Sequence, residues 1–510
     1  MQEPDQSSAL PENAGQAKES LNSGRPALVW RKAIADSDTP VGAARRLFKP
    51  GRGDYLLESV EGGEVRGRYS LIGLDPDLVF RASGATAEIN SHWQVDRAAF
   101  APCSSEALSE LRKLAESCKI DVPDGLPHSS LACLVGYFGY ETIGLVETLP
   151  RAEASELALP DMLFVRPTII LVFDELTDDL FCVAPIWSAD NPVLAIERAG
   201  ERIDEVLRAL VQRRPADAKL EGVAEQPELD PVMAGEDYKR MVAAAKEYIL
   251  AGDIFQVVLA QRFTCPFELP PLELYRALRR VNPSPFLYFL DLPGFAIVGS
   301  SPEILVRVRD GEVTIRPIAG TRPRGASPIE DRANETSLLA DPKECAEHLM
   351  LLDLGRNDVG RVATRGSVEV TDSFTIERYS HVMHIVSNVV GQLAENRDAI
   401  DALFAGFPAG TVSGAPKVRA CEIIAELEPE TRGAYAGGVG YFSPDGSVDS
   451  CIVLRTAVVK DGMMHVQAGA GIVADSDPDY ELAECRAKAS ALIAAAREAV
   501  RVASEPDFGQ

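Results

Sequence analysis

The sequence predicts an α+β fold in which large antiparallel sheets are covered by helices, and two observations predict it. In the first half, short apolar runs of strand length alternate with only a few helical stretches. In the second half, one amphipathic helix hands over at once to a strand, and seven more strand-sized runs follow. At 510 residues, 46% hydrophobic and 25% charged, the chain is long enough for two domains or one large, elaborated one.

Taken in order, residues 1–24 are polar, lack an apolar signal core and read as disordered. Region 25–213 carries the runs YLLESV, YSLIGL, LACLVGYFGY, DMLFVRPTIILVF and LFCVAPIW, with helices expected over 105–118 and 195–213. The stretch 214–237 is rich in Pro, Asp, Glu and Ala and reads as a linker. In region 238–503, Tyr238, Met241, Val242, Ala245, Tyr248 and Ile249 follow helical spacing and Gly252 is the expected stop. Strands follow at IFQVVLAQRF and over 286–290, 295–299, 304–308, 312–316, 438–442, 451–459 and 463–468. Residues 504–510 read as a frayed tail.

With 51 Lys and Arg against 77 Asp and Glu, the formal charge is −26. That charge repels nucleic-acid backbones and anionic lipid, so neither is expected as a partner. No run approaches the roughly 18 apolar residues of a membrane span, and a cytoplasmic protein is expected. Nine cysteines without a C-x-x-C pair suit reduced, buried thiols better than zinc or disulfides. If so acidic a protein handles an anionic metabolite, the site needs its own local positive charge.

Two helix starts look alike: DPKECAEH at Asp341 and DPDYELAEC at Asp477, each with Asp as N-cap and Pro at the first helical position. Glu344 and Glu347 share one helical face, as do Glu481, Glu484 and Lys488. Each set taken alone is ordinarily a solvated face, and Glu344 also fits a capping box. If the two faces met, four carboxylates would converge, a cluster that calls for a cation such as Mg²⁺. Gly469, Ala470 and Gly471, expected just after a strand, would let backbone N–H groups approach an anion, although a plain turn explains them as well. Arg455 falls in the apolar segment CIVLRTA, and a buried guanidinium demands a partner, either a structural carboxylate or a bound one. His384 lies in an apolar stretch where a lone histidine is ordinarily a core residue. Glu303 and Thr411 carry little signal individually.

In combination these segments resemble the chorismate-utilising enzymes. AGDIFQVVLAQRF, NPSPFLYFL, SSPEILV, RPIAGTRPRG, DPKECAEHLMLLDLGRND, RYSHVMHIVS, FPAGTVSGAPKVRA, GAYAGGVGYF, CIVLRTA, QAGAGIV and ELAECRAKA occur in the family's order. The resemblance implies an α/β sandwich of two domains with orthogonally packed antiparallel sheets. It also implies Mg²⁺ on Glu347 and Glu484, with Glu344 and Glu481 in an outer or alternative role. One carboxylate of chorismate would bridge to the metal; the other would meet Arg455, Tyr435 and the N–H groups of Gly469, Ala470 and Gly471, with Lys488 nearby. Gly320 and Thr321 match contacts to the ring, Glu303 an acid for the departing hydroxyl, His384 a proton carrier, and Thr411 a further catalytic position.

Two positions point to the nucleophile. Members that add water have Lys where this chain has Gln256, which cannot serve as a general base. Members that form aminodeoxychorismate have Lys in place of Ala319, so the amine that attacks the ring is missing here. The resemblance therefore implies an anthranilate-forming large subunit that takes ammonia from a separate glutamine amidotransferase, commonly in a heterotetramer of two plus two. YLLESVEGG followed by GRYSLIG resembles a tryptophan feedback site, with Glu58 and Ser59 holding the amino acid and Pro285, Phe286 and Leu287 as its apolar wall. Formation of aminodeoxychorismate or aminodeoxyisochorismate, or a silent tryptophan-binding regulator, are the alternatives.

Overall fold

The computed structural model describes residues 10–61, 65–127, 130–212, 227–379 and 382–504. Among the described residues, the strands assemble into two twelve-stranded sheets and one small two-stranded one, and every ladder is antiparallel. The central strands of the first sheet run side by side in the order Tyr55–Glu58, Phe286–Leu292, Phe295–Ser301, Thr456–Lys460, Met463–Ile472 and Gln256–Pro266. The second sheet sets Ile304–Arg309, Val448–Ile452 and Gly438–Phe442 against Leu134–Phe138 and Met162–Arg166. Both sheets thus draw strands from 25–213 and from 238–503. The two regions interleave and are not separate bodies. Of the expected linker, 214–226 lies outside the described residues; beyond it, Asp230–Pro231 already pairs with Gln256–Pro266 and a helix begins at Gly235.

That helix, Gly235–Ala251, stops where expected, with Gly252 at φ 83° capping it in the left-handed region. Two expectations need correction. Part of the supposedly disordered N-terminus, Ala14–Asn22, is a helix, because Ala17 and Leu21 bury against the strand Ala27–Ile34 and the helix Pro192–Val211. The apolar segment 451–459 is not one strand but two, Val448–Ile452 and Thr456–Lys460, in different sheets. The proposed tail 504–510 lies outside the described residues apart from Ser504.

The chain passes from sheet to sheet at short links, and two of these adjoin. Between Phe295–Ser301 and Ile304–Arg309 the link carries Glu303; between Val448–Ile452 and Thr456–Lys460 it carries Arg455. The links are laced together: Ile452 N–H donates to the Glu303 carbonyl at 3.1 Å, and Ser300 N–H donates to the Arg455 carbonyl at 3.2 Å. All nine cysteines are free thiols. No helix among the described residues is long and apolar enough to cross a membrane.

Candidate active site

Asp341 and Asp477 cap their helices as the sequence predicts. Asp341 accepts N–H bonds from Lys343 and Glu344, and Asp477 from Asp479 and Tyr480. The starts of these helices, Pro342–Gly360 and Pro478–Ser504, face each other, which sequence spacing could not show: Lys343 acts electrostatically on Glu481, and Lys488 acts on Glu347. The four carboxylates nevertheless do not meet at one point. Among the described residues, no three acidic, His or Cys side chains gather closely enough to hold a metal by themselves. Instead they divide into two pairs. Glu344 is taken by Arg322 at 3.0 Å, not by a capping box, and Glu484 by Lys488 at 2.8 Å. Among the described residues, no such close cation pairs with Glu347 or Glu481. Burial first, then the neighbouring Glu344, raises the Glu347 pKa; burial, with Glu484 adding to it, raises that of Glu481.

Gln256 lies beside Glu347. Its amide bonds the Glu347 carboxylate, while Gln256 Oε1 is buried with no partner among the described residues. Gly471 makes room, because a Cβ there would stand 2.5 Å from Gln256 Nε2. Gly469, Ala470 and Gly471 do not form a turn after the strand, as expected, but lie inside Met463–Ile472, paired with Ala260, Leu259 and Val258. The Gly469 N–H is already engaged by the Tyr435 hydroxyl, and a Cβ at Gly469 would come within 2.8 Å of that oxygen. Lys488 Nζ donates to the Gly469 carbonyl at 2.9 Å, tying the acidic helix to this floor. Behind Tyr435, the buried Arg432 packs over its ring at 5.5 Å and forks onto Glu428. Sequence reasoning missed Arg432 and Glu428, whose segments have no periodicity to mark them.

At the seam between the sheets stand Glu303, His384 and Arg455, together with Tyr379, which sequence reasoning also passed over. Glu303 is 7% exposed, and burial pushes its carboxyl up to about 8, against the opposing hydrogen bond from Thr411. Arg455 holds a left-handed backbone at φ 47°, lying between strands and not within one. Burial lowers its pKa, and among the described residues no carboxylate pairs with it. His384 packs edge-on against Tyr379 at 5.5 Å and is not a core histidine; that role falls to His348, fully buried and bonded to Ser387. His384 Nδ1 lies 2.9 Å from the Gly320 carbonyl and 3.1 Å from Thr321 Oγ1. A carbonyl can only accept, so Nδ1 carries the hydrogen and Nε2 keeps a lone pair. Burial, aided by the nearby Arg455 charge, lowers the His384 pKa and keeps the ring neutral. Gly320 sits at φ 70° in a register shift, with Glu344 Oε2 3.2 Å from where a Cβ would be; Ala319 is buried beside it.

A separate cavity of about 370 Å³ opens between the sheets, lined by Glu58, Ser59, Phe286, Leu287 and Tyr288 from the first and by Arg307, Tyr441 and Asp449 from the second. The expected pairing of LLES with NPSPFL is thus close in space, because Glu58 and Leu287 are opposed residues on adjacent strands. Two details differ from expectation. Pro285 does not line the cavity, and the Glu58 carboxylate is already held by Arg279, at 2.8 and 3.0 Å, and by the Tyr275 hydroxyl at 2.5 Å.

A guanidinium with no carboxylate paired to it among the described residues, a buried carboxyl pushed up to about 8 and a histidine fixed by a backbone carbonyl stand near paired carboxylates, groups that can grip an anion and move protons. The chain belongs to the chorismate binding enzymes, whose family model matches residues 54–494. Within that family it is 53% identical over 478 residues to anthranilate synthase component 1 of Cereibacter sphaeroides, covering 93% of this chain and 95% of that one. It is 48% identical over 477 residues to anthranilate synthase component 1 of Pseudomonas putida, covering 91% and 94%. The crystal structure of anthranilate synthase component I from Streptococcus pneumoniae matches with a TM-score of 0.74 at 35% identity, over 90% of this chain and 99% of that one.

Proposed function

We propose that this chain is the chorismate-converting component of an anthranilate synthase, forming anthranilate and pyruvate from chorismate and ammonia in the first step of tryptophan biosynthesis. The observation that carries the reading is Arg455, a half-buried guanidinium with no carboxylate paired to it among the described residues, set beside a proton donor and a proton acceptor. A carboxylate of chorismate supplies the missing partner and forks onto it. Glu303, holding its proton at neutral pH, gives it to the hydroxyl leaving C4 as ammonia adds at C2. His384 Nε2, the ring's unprotonated nitrogen, takes the C2 proton as the ring C3–O bond breaks and the ring becomes aromatic, and the departing enolpyruvate takes that proton back on its methylene carbon to become pyruvate. Gly320 and Thr321 fix the His384 ring, and Thr411 fixes Glu303. Tyr435 with Gly469, Ala470 and Gly471 forms the floor under the substrate, and Ala319 leaves the ring face without an amine nucleophile.

Glu347, half-buried, and Glu481, buried, have no close cation among the described residues and, together with Glu344 and Glu484, fit Mg²⁺, which takes one or two carboxylates and completes its shell with water and substrate oxygens. When bound, Mg²⁺ supplies positive charge that orients the ring carboxylate and stabilises charge developing on it. Ammonia comes from a glutamine amidotransferase subunit in an assembly of two plus two, and the protein works in the cytoplasm. The 370 Å³ cavity takes tryptophan as feedback inhibitor.

The test is anthranilate fluorescence from the purified chain given chorismate, Mg²⁺ and ammonium at mildly alkaline pH, with and without tryptophan. Fluorescence that requires Mg²⁺ and falls with tryptophan is the expected result. Chorismate consumed without fluorescence points to aminodeoxychorismate or aminodeoxyisochorismate, and no consumption sinks the enzyme reading in favour of a silent regulator.

A further inference from the structure

One row of directly opposed residues runs across four strands of the first sheet: Leu57, Tyr288, Gly299 and Thr456. Tyr288, one of the residues lining the 370 Å³ cavity, lays its ring across Gly299, where a Cβ would stand 2.2 Å from the ring carbons. Only glycine lets the ring pass. Its hydroxyl therefore reaches the strand after next and meets Thr456 Oγ1 at 2.6 Å, fully buried. Thr456 has a single hydroxyl hydrogen, directed at the Leu454 carbonyl 2.7 Å away, so Tyr288 is the donor in the first bond.

This relay brackets Arg455. Leu454 and Thr456 flank it, the bond between them closes a tight loop around it, and the Ser300 N–H holds its carbonyl at 3.2 Å. A non-glycine residue with φ of 47° keeps that conformation only where its surroundings enforce it. Ser300 in turn bonds the Asn282 carbonyl, at the start of the NPSP segment that leads to Phe286. Both the cavity wall and the loop before it are thus fastened to the backbone of the residue awaiting a substrate carboxylate.

We propose that Tyr288 is a positioning residue of the substrate site, holding Arg455 through Thr456, and that a ligand in the 370 Å³ cavity acts on substrate binding through this bond. The proposal rests on the reading of Arg455 as the chorismate carboxylate clamp and of the cavity as a tryptophan site. By linkage, the factor by which tryptophan weakens chorismate binding equals the factor by which chorismate weakens tryptophan binding.

The experiment compares Tyr288→Phe and Thr456→Val with the wild-type chain. Both remove the same buried hydrogen bond from opposite ends, and Thr456→Ser, which retains the hydroxyl, is the control. Expected in both is a chorismate KM raised about tenfold, as for loss of one buried hydrogen bond. Tryptophan should still bind by calorimetry, with a coupling factor to chorismate close to one, while Thr456→Ser behaves as wild type. The double variant should be no worse than either single one. Unchanged KM and coupling in folded variants overturn the proposal, as does an effect in Tyr288→Phe with none in Thr456→Val, which would reflect cavity shape alone. A wild-type chain that does not turn over chorismate sinks the functional reading instead. Should Tyr288→Phe fail to fold, the Thr456 pair decides.

Discussion

Thr411 donates its hydroxyl to Glu303 Oε1 across 3.2 Å, and among the described residues nothing else bonds that carboxylate. Burial favours the protonated acid and the Thr411 bond favours the ionised form, so the two effects oppose each other. Turnover is expected to decline as pH rises through about 8, where Glu303 loses the proton it must donate. In Thr411→Val that alkaline limb should move to higher pH, and Glu303→Gln should lower kcat by at least about 10²-fold. The same shift makes a stability statement. Between the ordinary carboxylate pKa of 4.5 and about 8, the folded chain holds a proton the unfolded chain has lost, so Glu303's contribution to stability falls as pH rises through that window. A pH–rate profile that does not respond to Thr411→Val refutes the assignment.

Gln256 bonds Glu347 and favours the ionised carboxylate that a cation needs. Gln256→Leu removes that donor and leaves Glu347 harder to ionise. The Mg²⁺ concentration for half-maximal turnover should rise about tenfold, the low end for loss of a residue supporting a metal ligand, and the defect should shrink at alkaline pH. Titration of activity with Mg²⁺ at two pH values measures both effects.

How much of this could be read in the sequence depends on what kind of contact each feature needed. The helix starts at Asp341 and Asp477 were legible because a cap is a local event, complete within four residues. Their meeting was not, because it depends on helices more than 130 positions apart in the chain. Arg455 was legible as a misplaced charge, but its left-handed link between sheets was not, since CIVLRTAVV is apolar on both sides of the break. Tyr379, Arg432 and Glu428 were missed because their roles come wholly from tertiary packing. The division at 214–237 rests on composition, and composition does not say which sheet a later strand joins; both sheets take strands from either side of it.

Gly469 is closed in on both sides, by the Tyr435 hydroxyl at 2.8 Å and the Leu259 carbonyl at 2.9 Å from where a Cβ would lie. Gly469→Ala must therefore displace Tyr435 or open the strand pair. Overpacking of this kind typically costs about 1–3 kcal/mol. The expected outcome is a lower melting temperature together with a chorismate KM raised about tenfold or more, read by calorimetry and steady-state kinetics. An alanine variant with wild-type KM would mean that the floor does not touch the substrate.

Ser59 lines the second cavity and touches neither Glu303 nor Arg455. Its hydroxyl fills the space Gly67 leaves, where a Cβ would fall 1.6 Å from Ser59 Oγ. Ser59→Ala removes a polar contact from the cavity without adding bulk. Tryptophan should then inhibit at higher concentration while kcat and the chorismate KM stay at wild-type values. Inhibition curves at fixed chorismate decide it, and an unchanged curve would move the inhibitor elsewhere.

Arg455→Lys separates charge from shape at the substrate clamp. Both side chains are positive, and both meet the same left-handed backbone at φ 47°, so the fold and melting temperature should be little altered. Arginine offers a planar fork that meets both oxygens of a carboxylate, whereas lysine offers one ammonium that grips as a point charge. Burial already lowers the Arg455 pKa, and a lysine in the same place is pushed toward its neutral form far more readily. The chorismate KM should therefore rise by about 10²-fold, in keeping with the roughly 1.5–3 kcal/mol attributed to charge-assisted hydrogen bonds. The defect should also grow as pH rises and the lysine loses its proton, a trend the wild-type chain lacks because guanidinium stays charged. A lysine variant with wild-type KM across the pH range would show that no carboxylate docks at this position.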